Sequence, residues 1–172
     1  MYSDIVSPTS PGSKDSWGPR LWKVLHNIAW LSDRTDVIYI WKNVMKSLSD
    51  VMPCPICRAL LAEYMNSRVM FSTKNAHLVK STEYKERIVY NIWLLHNIVN
   101  TQTGKGEYPM DLLTAKYLDR TRSDIIHETN QILREIYAEW EPIVMKQITM
   151  GAFRELRSNI TMLIGLVSGG PN

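Results

Sequence analysis

Apolar residues recur at intervals of three and four positions along most of this chain, and strict alternation of apolar and polar residues is nearly absent. The first spacing places apolar side chains on one face of an α-helix, whereas alternation is typical of a half-buried β-strand. The pattern therefore predicts an all-α fold. The chain has 172 residues, 45% of them hydrophobic, which is enough for one compact domain with an appendage.

Prolines, glycines and polar clusters divide this pattern into separate helices. Pro53 is expected to end the second helix, and Asp111 is expected to cap a short fifth helix. Residues 33–36 are predicted to form a turn, and residues 66–80 a loop. The predicted helices cover residues 17–31, 37–48, from the cysteines to 64, from 81 or 82 to just before 104, 112–118 and 152–166.

Residues 1–16 contain two prolines, a glycine and several serines, and they lack the apolar core of a signal peptide. We expect them to form a flexible tail. The longest late apolar stretch, residues 160–167, is too short to cross a bilayer. The net charge of +3 comes without a basic run or a nucleic-acid-binding motif. We therefore expect a soluble protein that has no signal peptide, spans no membrane and binds no nucleic acid.

A further apolar stripe lies in the last third of the chain. Pro142 and Gly151 are expected to interrupt the helices in this region. A stripe this apolar is not stable when exposed to water, so it must pack either on the rest of the chain or on a second protomer. We favour the second protomer. The stripe consists of Ile125, Ile132, Ile136, Trp140 and Ile143.

The only two cysteines, Cys54 and Cys57, lie three positions apart in a Pro-Cys-Pro-Ile-Cys motif. A pair this close in sequence cannot staple a large structure, which indicates reversible redox chemistry or metal binding. The prolines place Cys54 at the start of a helix, where the helix dipole favours a thiolate. The thiolate is the form that attacks disulfides and leaves from them.

Several kinds of protein carry such a pair. A thioredoxin-like protein needs βαβ units, and no strands are predicted here. A zinc site needs four ligands, usually as two close pairs, whereas His77 and His96 are far apart and unpaired, so no metal site is predicted. A helical, flavin-linked oxidase is the third hypothesis. The alternative to all three is a non-enzymatic helical interaction module, in which the cysteines pack as small hydrophobic residues.

Four sequence blocks closely resemble the Erv/ALR family of FAD-dependent sulfhydryl oxidases, in the family's order and spacing. The blocks are WGPRLWKVLH at residues 17–26, the Cys-x-x-Cys pair, HNIVN at residues 96–100, and Gly-Lys at residues 104–105 followed by Tyr108. Lys116 and Tyr117 fall where the family carries a basic–aromatic pair. The resemblance covers about residues 17–120.

The resemblance implies a four-helix bundle with a short fifth helix, which binds FAD at its mouth, plus additional C-terminal helices. It places the FAD-binding sulfhydryl oxidase domain at residues 17–122 and leaves residues 123–172 as a C-terminal helical extension. It also implies a homodimer. Basic side chains would neutralise the pyrophosphate of FAD, and aromatic ones would enclose its flat rings. The implied FAD contacts are Trp17, Gly18, Arg20, Trp22, His26, His96, Asn97, Val99, Asn100, Lys105, Tyr108, Lys116 and Tyr117.

The resemblance further implies how electrons travel. A substrate thiolate attacks Cys54, and Cys57, which lies nearer the flavin, passes two electrons to FAD. Reduced FAD then delivers the electrons to molecular oxygen and yields hydrogen peroxide. The implied function is disulfide formation in protein substrates.

The chain departs from the family at three places. Many members have a structural disulfide at positions that correspond here to Trp93 and Met110, so we expect packing to supply that stabilisation. An aromatic residue commonly precedes the Pro-Cys, where this chain has Met52. The chain also lacks a shuttle Cys-x-x-Cys, so substrate thiols must reach Cys54 directly or through a separate carrier protein. Short forms of this kind resemble members encoded by large DNA viruses, for which we expect the host cytoplasm or virion; otherwise we expect the mitochondrial intermembrane space.

Overall fold

The computed structural model describes residues 13–67 and 80–172. Within these two ranges the regular structure is entirely α-helical, which confirms the predicted all-α fold. No helix in the described parts of the chain is both long and apolar enough to cross a membrane. The helices are α1 (Lys14–Trp30), α2 (Val37–Val51), α3 (Pro55–Ser67), α4 (Ser81–Gln102), α5 (Met110–Ala115), α6 (Arg122–Gln147) and α7 (Met150–Ser168).

Helices α1 and α2 take part in most of the contacts between helices. Helix α1 packs against α4 and α6, and α2 packs against α3 and α7, while α7 also contacts α6 and α1. One continuous hydrophobic core joins all seven helices of the described chain. Each helix contributes at least one buried side chain to it, for example Val24, Trp41, Leu61, Ile88, Leu113, Trp140 and Phe153 in chain order.

The apolar stripe of α6 is covered within the chain. Ile125, Ile136 and Trp140 are buried in the common core, and Ile132 packs partly against it. Trp140 meets the ring of Trp17 in α1 edge to face, with the ring centroids 5.1 Å apart. The prediction that this stripe is buried against a second protomer is therefore wrong, because other helices of the same chain already cover it.

Arg122 holds the beginning of α6 to two other helix ends. Its guanidinium donates hydrogen bonds to the backbone carbonyls of Leu31 and Val167, and it pairs with the carboxylate of Asp33. The last carbonyls of a helix have no partner inside the helix, so a cationic donor placed there is favourable. This single side chain thereby joins the ends of α1 and α7 to the start of α6.

Of the two predicted interruptions, one does not occur and the other lies slightly earlier than expected. The helix α6 continues through Pro142 to Gln147, and the break falls at residues 148–149, so that Gly151 is already in the first turn of α7. A proline inside a helix removes one backbone hydrogen bond and crowds the preceding turn. Here the side chains on either side of it, Trp140 and Val144, are fully buried. Packing against the core therefore holds the helix together across the proline.

The remaining differences concern where helices begin and end. The first begins at Lys14, so the last residues of the predicted 1–16 tail are helical, while residues 1–12 lie outside the described chain. Most of the predicted 66–80 loop also lies outside it, and α3 extends to Ser67. Asp111 lies in the first turn of α5 rather than capping it, because the cap position is Pro109.

We predict that Trp140→Ala lowers the free energy of unfolding by about 3–5 kcal/mol, the cost of removing a large aromatic side chain from a packed core. The matched control is Met145→Ala in the same helix, where the side chain is 62% exposed. That variant should change the free energy by less than about 0.5 kcal/mol. Urea unfolding followed by circular dichroism measures both, and equal effects would show that α6 is not part of the core.

Candidate active site

The two cysteines form a disulfide at the beginning of α3. Cys54 immediately precedes the helix, and Cys57 lies in its first turn, which confirms the predicted position of Cys54. The backbone N–H of Cys57 donates to Sγ of Cys54 over 3.2 Å. Unpaired amides at a helix start carry partial positive charge, so this arrangement favours a thiolate on Cys54 once the disulfide is reduced.

The disulfide is partly accessible. Both cysteines are half-buried and pack against the core, whereas Ile56 between them is 82% exposed. Arg58 donates to the backbone carbonyl of Met52 and so holds the first turn of α3 to the end of α2. One side of the disulfide is thus supported by the fold, and the other is open to another molecule.

An apolar cavity of about 230 Å³ lies beside the disulfide. Cys54, Cys57 and Ile56 form part of its wall. Met52, which stands where family members commonly have an aromatic residue, also lines it. The other walls are largely apolar and come from α1, α2, α3 and α4: Trp17, Leu21, Trp22, Leu25, Met45, Leu48, Leu60, Leu61, Leu95 and Val99.

A second, more polar cavity of about 560 Å³ adjoins the first. The two share Lys14, Gly18, Trp22, Val99 and Thr103 as wall residues. The larger cavity therefore begins where the cavity beside the disulfide ends. Predicted FAD-contact residues that line the larger cavity are Gly18, Trp22, His26, His96, Val99, Asn100, Lys105, Tyr108, Lys116 and Tyr117.

Two histidines form the centre of the larger cavity's wall. His26 Nε2 and His96 Nδ1 are 3.0 Å apart, which joins α1 to α4 by a hydrogen bond. Trp22 stacks on His96 with ring centroids 4.3 Å apart, and Tyr108 lies 5.3 Å from the same ring. The wall is therefore a cluster of flat rings.

Both imidazoles are neutral at ordinary pH. Burial, together with the proximity of His96 and Lys116, lowers the pKa of His26 to about 3. Burial, together with Lys105 and Lys116, lowers the pKa of His96 to about 4. His26 is buried, and its Nδ1 has no hydrogen-bond partner among the described residues. A buried polar atom without a partner is costly, which points to a ligand atom at this position.

Positive charge surrounds the same cavity. The wall has five cationic side chains and one acidic one, Asp15. Lys116 Nζ lies 5.0 Å from the ring centroid of Tyr108, so this cation is also held by an aromatic face. Such a surplus of fixed cations suits an anionic group such as a pyrophosphate. The cations are Lys14, Lys23, Lys105, Lys116 and Arg120.

Hydrogen bonds replace the absent structural disulfide. Trp93 Nε1 donates to the backbone carbonyl of Tyr108 over 2.7 Å. Asn97 accepts from the backbone N–H of Tyr108 over 2.7 Å and donates to its carbonyl over 3.2 Å. At the end of α4, Gly104 has a positive φ of 71°, a backbone conformation that residues other than glycine rarely adopt. The loop that carries Lys105 and Tyr108 is therefore attached to α4 by polar contacts as well as by the predicted packing, to which Met110 contributes.

Three predicted FAD contacts lie outside the larger cavity. Asn97 holds the loop backbone, as just described. Trp17 lines the smaller, apolar cavity instead. Arg20 lines neither cavity, because its guanidinium pairs with Glu135 and Glu139 of α6.

Sequence reasoning missed several wall residues. Lys23 and Asn27 lie one helical turn apart on α1, directly after Trp22 and His26, so helical spacing was an available signal for them. Arg120 follows the last block of the resemblance and had no such signal. The rest of this group consists of Lys14, Asp15, Pro19, Thr103 and Leu113. Within the described residues no three metal-ligating side chains come together.

The comparison with known families agrees with this geometry. The model of the Erv1/Alr family matches residues 19–120, which includes both cysteines and both histidines of the wall. The match ends before α6 begins at Arg122. Comparisons with curated proteins and with solved structures find no match. Because the family match spans more than half of the chain, the protein belongs to the Erv1/Alr family, whose members are generally FAD-linked sulfhydryl oxidases.

Proposed function

We propose that this protein is a FAD-dependent thiol oxidase that forms disulfide bonds in protein substrates, with Cys54 and Cys57 as its redox-active pair. The observation that carries the proposal is the position of the disulfide. It lies in the wall of an apolar cavity, and this cavity adjoins a second one with aromatic and cationic walls. An accessible disulfide next to a space for a planar cofactor is the arrangement that thiol oxidation through a flavin requires.

The side chains of the two cavities suit the flat rings and the negative charge of FAD. Trp22, His96 and Tyr108 offer flat surfaces for aromatic rings. The unpartnered Nδ1 of His26 offers a hydrogen bond to a polar atom of the cofactor. Lys105 and Lys116, together with the other cations of the wall, would neutralise the two phosphates. When bound, FAD would accept two electrons from the reduced cysteine pair and pass them to oxygen, which gives hydrogen peroxide.

The protein's own cysteines handle the substrate thiols. A substrate thiolate attacks Sγ of Cys54, breaks the Cys54–Cys57 bond and releases Cys57 as a thiolate. A second substrate thiol, after losing its proton, attacks the mixed disulfide and releases Cys54. The substrate gains a disulfide, and the pair gains two electrons. The N–H of Cys57 that points to Sγ of Cys54 stabilises the leaving thiolate in the second step.

Substrate contact is expected around Ile56. This side chain is among the most exposed large apolar residues of the described chain and lies between the two cysteines. An apolar residue at this place offers a protein substrate a surface to bury while its thiol reaches Cys54. We infer that the substrate is a protein dithiol, either the final target or a carrier protein.

Replacement of either cysteine tests the redox assignment. We predict that Cys57→Ser and Cys54→Ser each reduce oxygen consumption with a protein dithiol to background, because a single cysteine cannot form the intramolecular disulfide that accepts two electrons from the substrate. Both variants should keep bound flavin, measured by the absorbance of the purified protein, because serine leaves the cavity walls intact. A colourless wild-type protein would contradict the proposed function, and sustained turnover in either variant would contradict the choice of cysteines.

Replacement of Ile56 tests the substrate class. We predict that Ile56→Ser raises the KM for a protein dithiol by about three- to tenfold, which corresponds to partial loss of one buried aliphatic contact. The kcat and the kinetics with dithiothreitol should not change. Leu118→Ser is the matched control, since Leu118 is 75% exposed and lines neither cavity. An equal loss with dithiothreitol would mean that Ile56 supports the disulfide rather than the substrate.

The histidine pair predicts a pH dependence. The folded-state pKa values of His26 and His96, about 3 and about 4, lie below the ordinary value of 6.5, so protonation favours the unfolded state. The free energy of unfolding should therefore be unaffected by these groups above pH 6.5 and should fall as the pH decreases from 6.5 towards 4. His26 alone contributes a slope of at most about 1.4 kcal/mol per pH unit.

Urea unfolding across this pH range measures the slope. His26→Asn removes one titrating group, so its slope should be smaller than that of the wild type. His127→Asn serves as the control, because it replaces a histidine that is exposed on α6. Identical slopes in the wild type and in His26→Asn would rule out a buried neutral His26.

A further inference from the structure

The carboxylate of Glu128, a residue outside the family match, pairs with two cations of the larger cavity's wall. Glu128 lies in the second turn of α6. Its Oε1 accepts from Lys23 Nζ over 2.7 Å, and its Oε2 accepts from Arg120 Nη2 over 2.7 Å. Both cations line the cavity, whereas Glu128 does not. One carboxylate therefore holds together a cation from α1 and a cation from the connection between α5 and α6.

The same carboxylate also fixes an aromatic part of the wall. Asn27 Nδ2 donates to Glu128 Oε2 over 3.0 Å, and Asn27 Oδ1 accepts from the hydroxyl of Tyr117 over 2.8 Å. Tyr117 stacks on Trp30, with the ring centroids 4.8 Å apart. Burial raises the pKa of Tyr117, so its hydroxyl keeps the proton that this hydrogen bond needs. The orientation of Tyr117 thus depends, through Asn27, on a residue of α6.

The charge state of Glu128 suits this role. Its burial alone would raise its pKa, but hydrogen bonds from Lys23, Arg120 and Asn27 lower the pKa to about 2. The carboxylate is therefore ionised at any working pH. Hydrogen bonds to an ionised group are about twice as strong as neutral ones, so Glu128 anchors the wall to α6 more strongly than a neutral side chain would.

We propose that Glu128 is a positioning residue for the phosphate-binding side of the FAD site: it holds Lys23 and Arg120 at the cavity wall so that both face the pyrophosphate. This inference rests on the proposed function. It assigns the C-terminal segment a part in cofactor binding, although the family match ends before that segment. None of the FAD contacts that the family resemblance implies lies in that segment.

The chain offers a matched control for a purely structural role. Arg20 of α1 pairs with Glu139 of α6, and the carboxylate of Glu139 is only 12% exposed. This ion pair joins the same two helices as the Glu128 contacts, but Arg20 lines neither cavity. Removal of Glu139 therefore weakens the α1–α6 contact without disturbing the cationic wall.

The experiment compares the affinity of FAD for the full-length wild-type chain and for three variants, measured by flavin fluorescence after the flavin has been removed. Glu128→Gln should raise the Kd for FAD by at least about tenfold, because two cations lose their anchor. Glu139→Gln should change the Kd by less than about twofold, although it lowers the thermal stability. Glu128→Asp keeps the charge on a shorter side chain, so its Kd should lie between those of the wild type and Glu128→Gln.

Added KCl separates positioning from folding. The difference between the wild type and Glu128→Gln should shrink at high KCl, since salt screens the attraction between the cations and the phosphates. Equal losses of affinity in Glu128→Gln and Glu139→Gln, or a difference that is independent of salt, would overturn the inference. A tighter Kd in Glu128→Gln would overturn it too, by showing that the carboxylate only repels the phosphates. If Glu128→Gln does not fold, the same comparison is made with Glu128→Asp. Failure of the wild type to bind FAD would refute the proposed function instead.

Discussion

The placement of α1 between α4 and α6 is the constraint on which the rest of the structure depends. Successive residues of an α-helix point about 100° apart, so neighbours in sequence reach different partners. His26 bonds to His96 of α4 at the cavity wall, whereas Asn27 bonds to Glu128 and Thr129 of α6. One turn of α1 thereby contributes to the cavity wall and also contacts α6, which holds that wall in place. A shift of this helix would displace His26 from His96 and would also move Lys23 of the cationic wall.

The secondary structure was largely predictable, because the spacing of apolar residues reports directly which face of a helix is buried. The same spacing does not identify what covers that face, so it does not distinguish burial of the α6 stripe within the chain from burial against a second protomer. Pro142 shows a second limit. Local preference predicts a break there, but the burial of Trp140 and Val144 holds the helix together across it. Packing energies that depend on distant residues cannot be read from a local pattern.

The placement of the candidate site residues follows the same geometry. Trp22 and His26 are four residues apart and therefore lie on one face of α1, which is the face towards the cavity. Arg20 lies two residues before Trp22, about 200° around the helix, and faces α6 instead. The family motif includes all three without distinguishing their directions. Glu128 was beyond prediction for a different reason, since 101 positions separate it from Asn27 in the chain.

The chain's lack of further cysteines has a chemical consequence. A disulfide that closes a loop of about 15 residues stabilises a protein by about 3 kcal/mol. The three hydrogen bonds from Trp93 and Asn97 to Tyr108, at about 0.5–1.5 kcal/mol each, supply stabilisation of the same order. Unlike a disulfide, these hydrogen bonds do not react with thiols.

A protein that exchanges disulfides with its substrates can also rearrange its own structural disulfides. Here the loop beside the cofactor cavity is attached without sulfur, so Cys54 and Cys57 are the only sulfur atoms of the chain available for thiol–disulfide exchange.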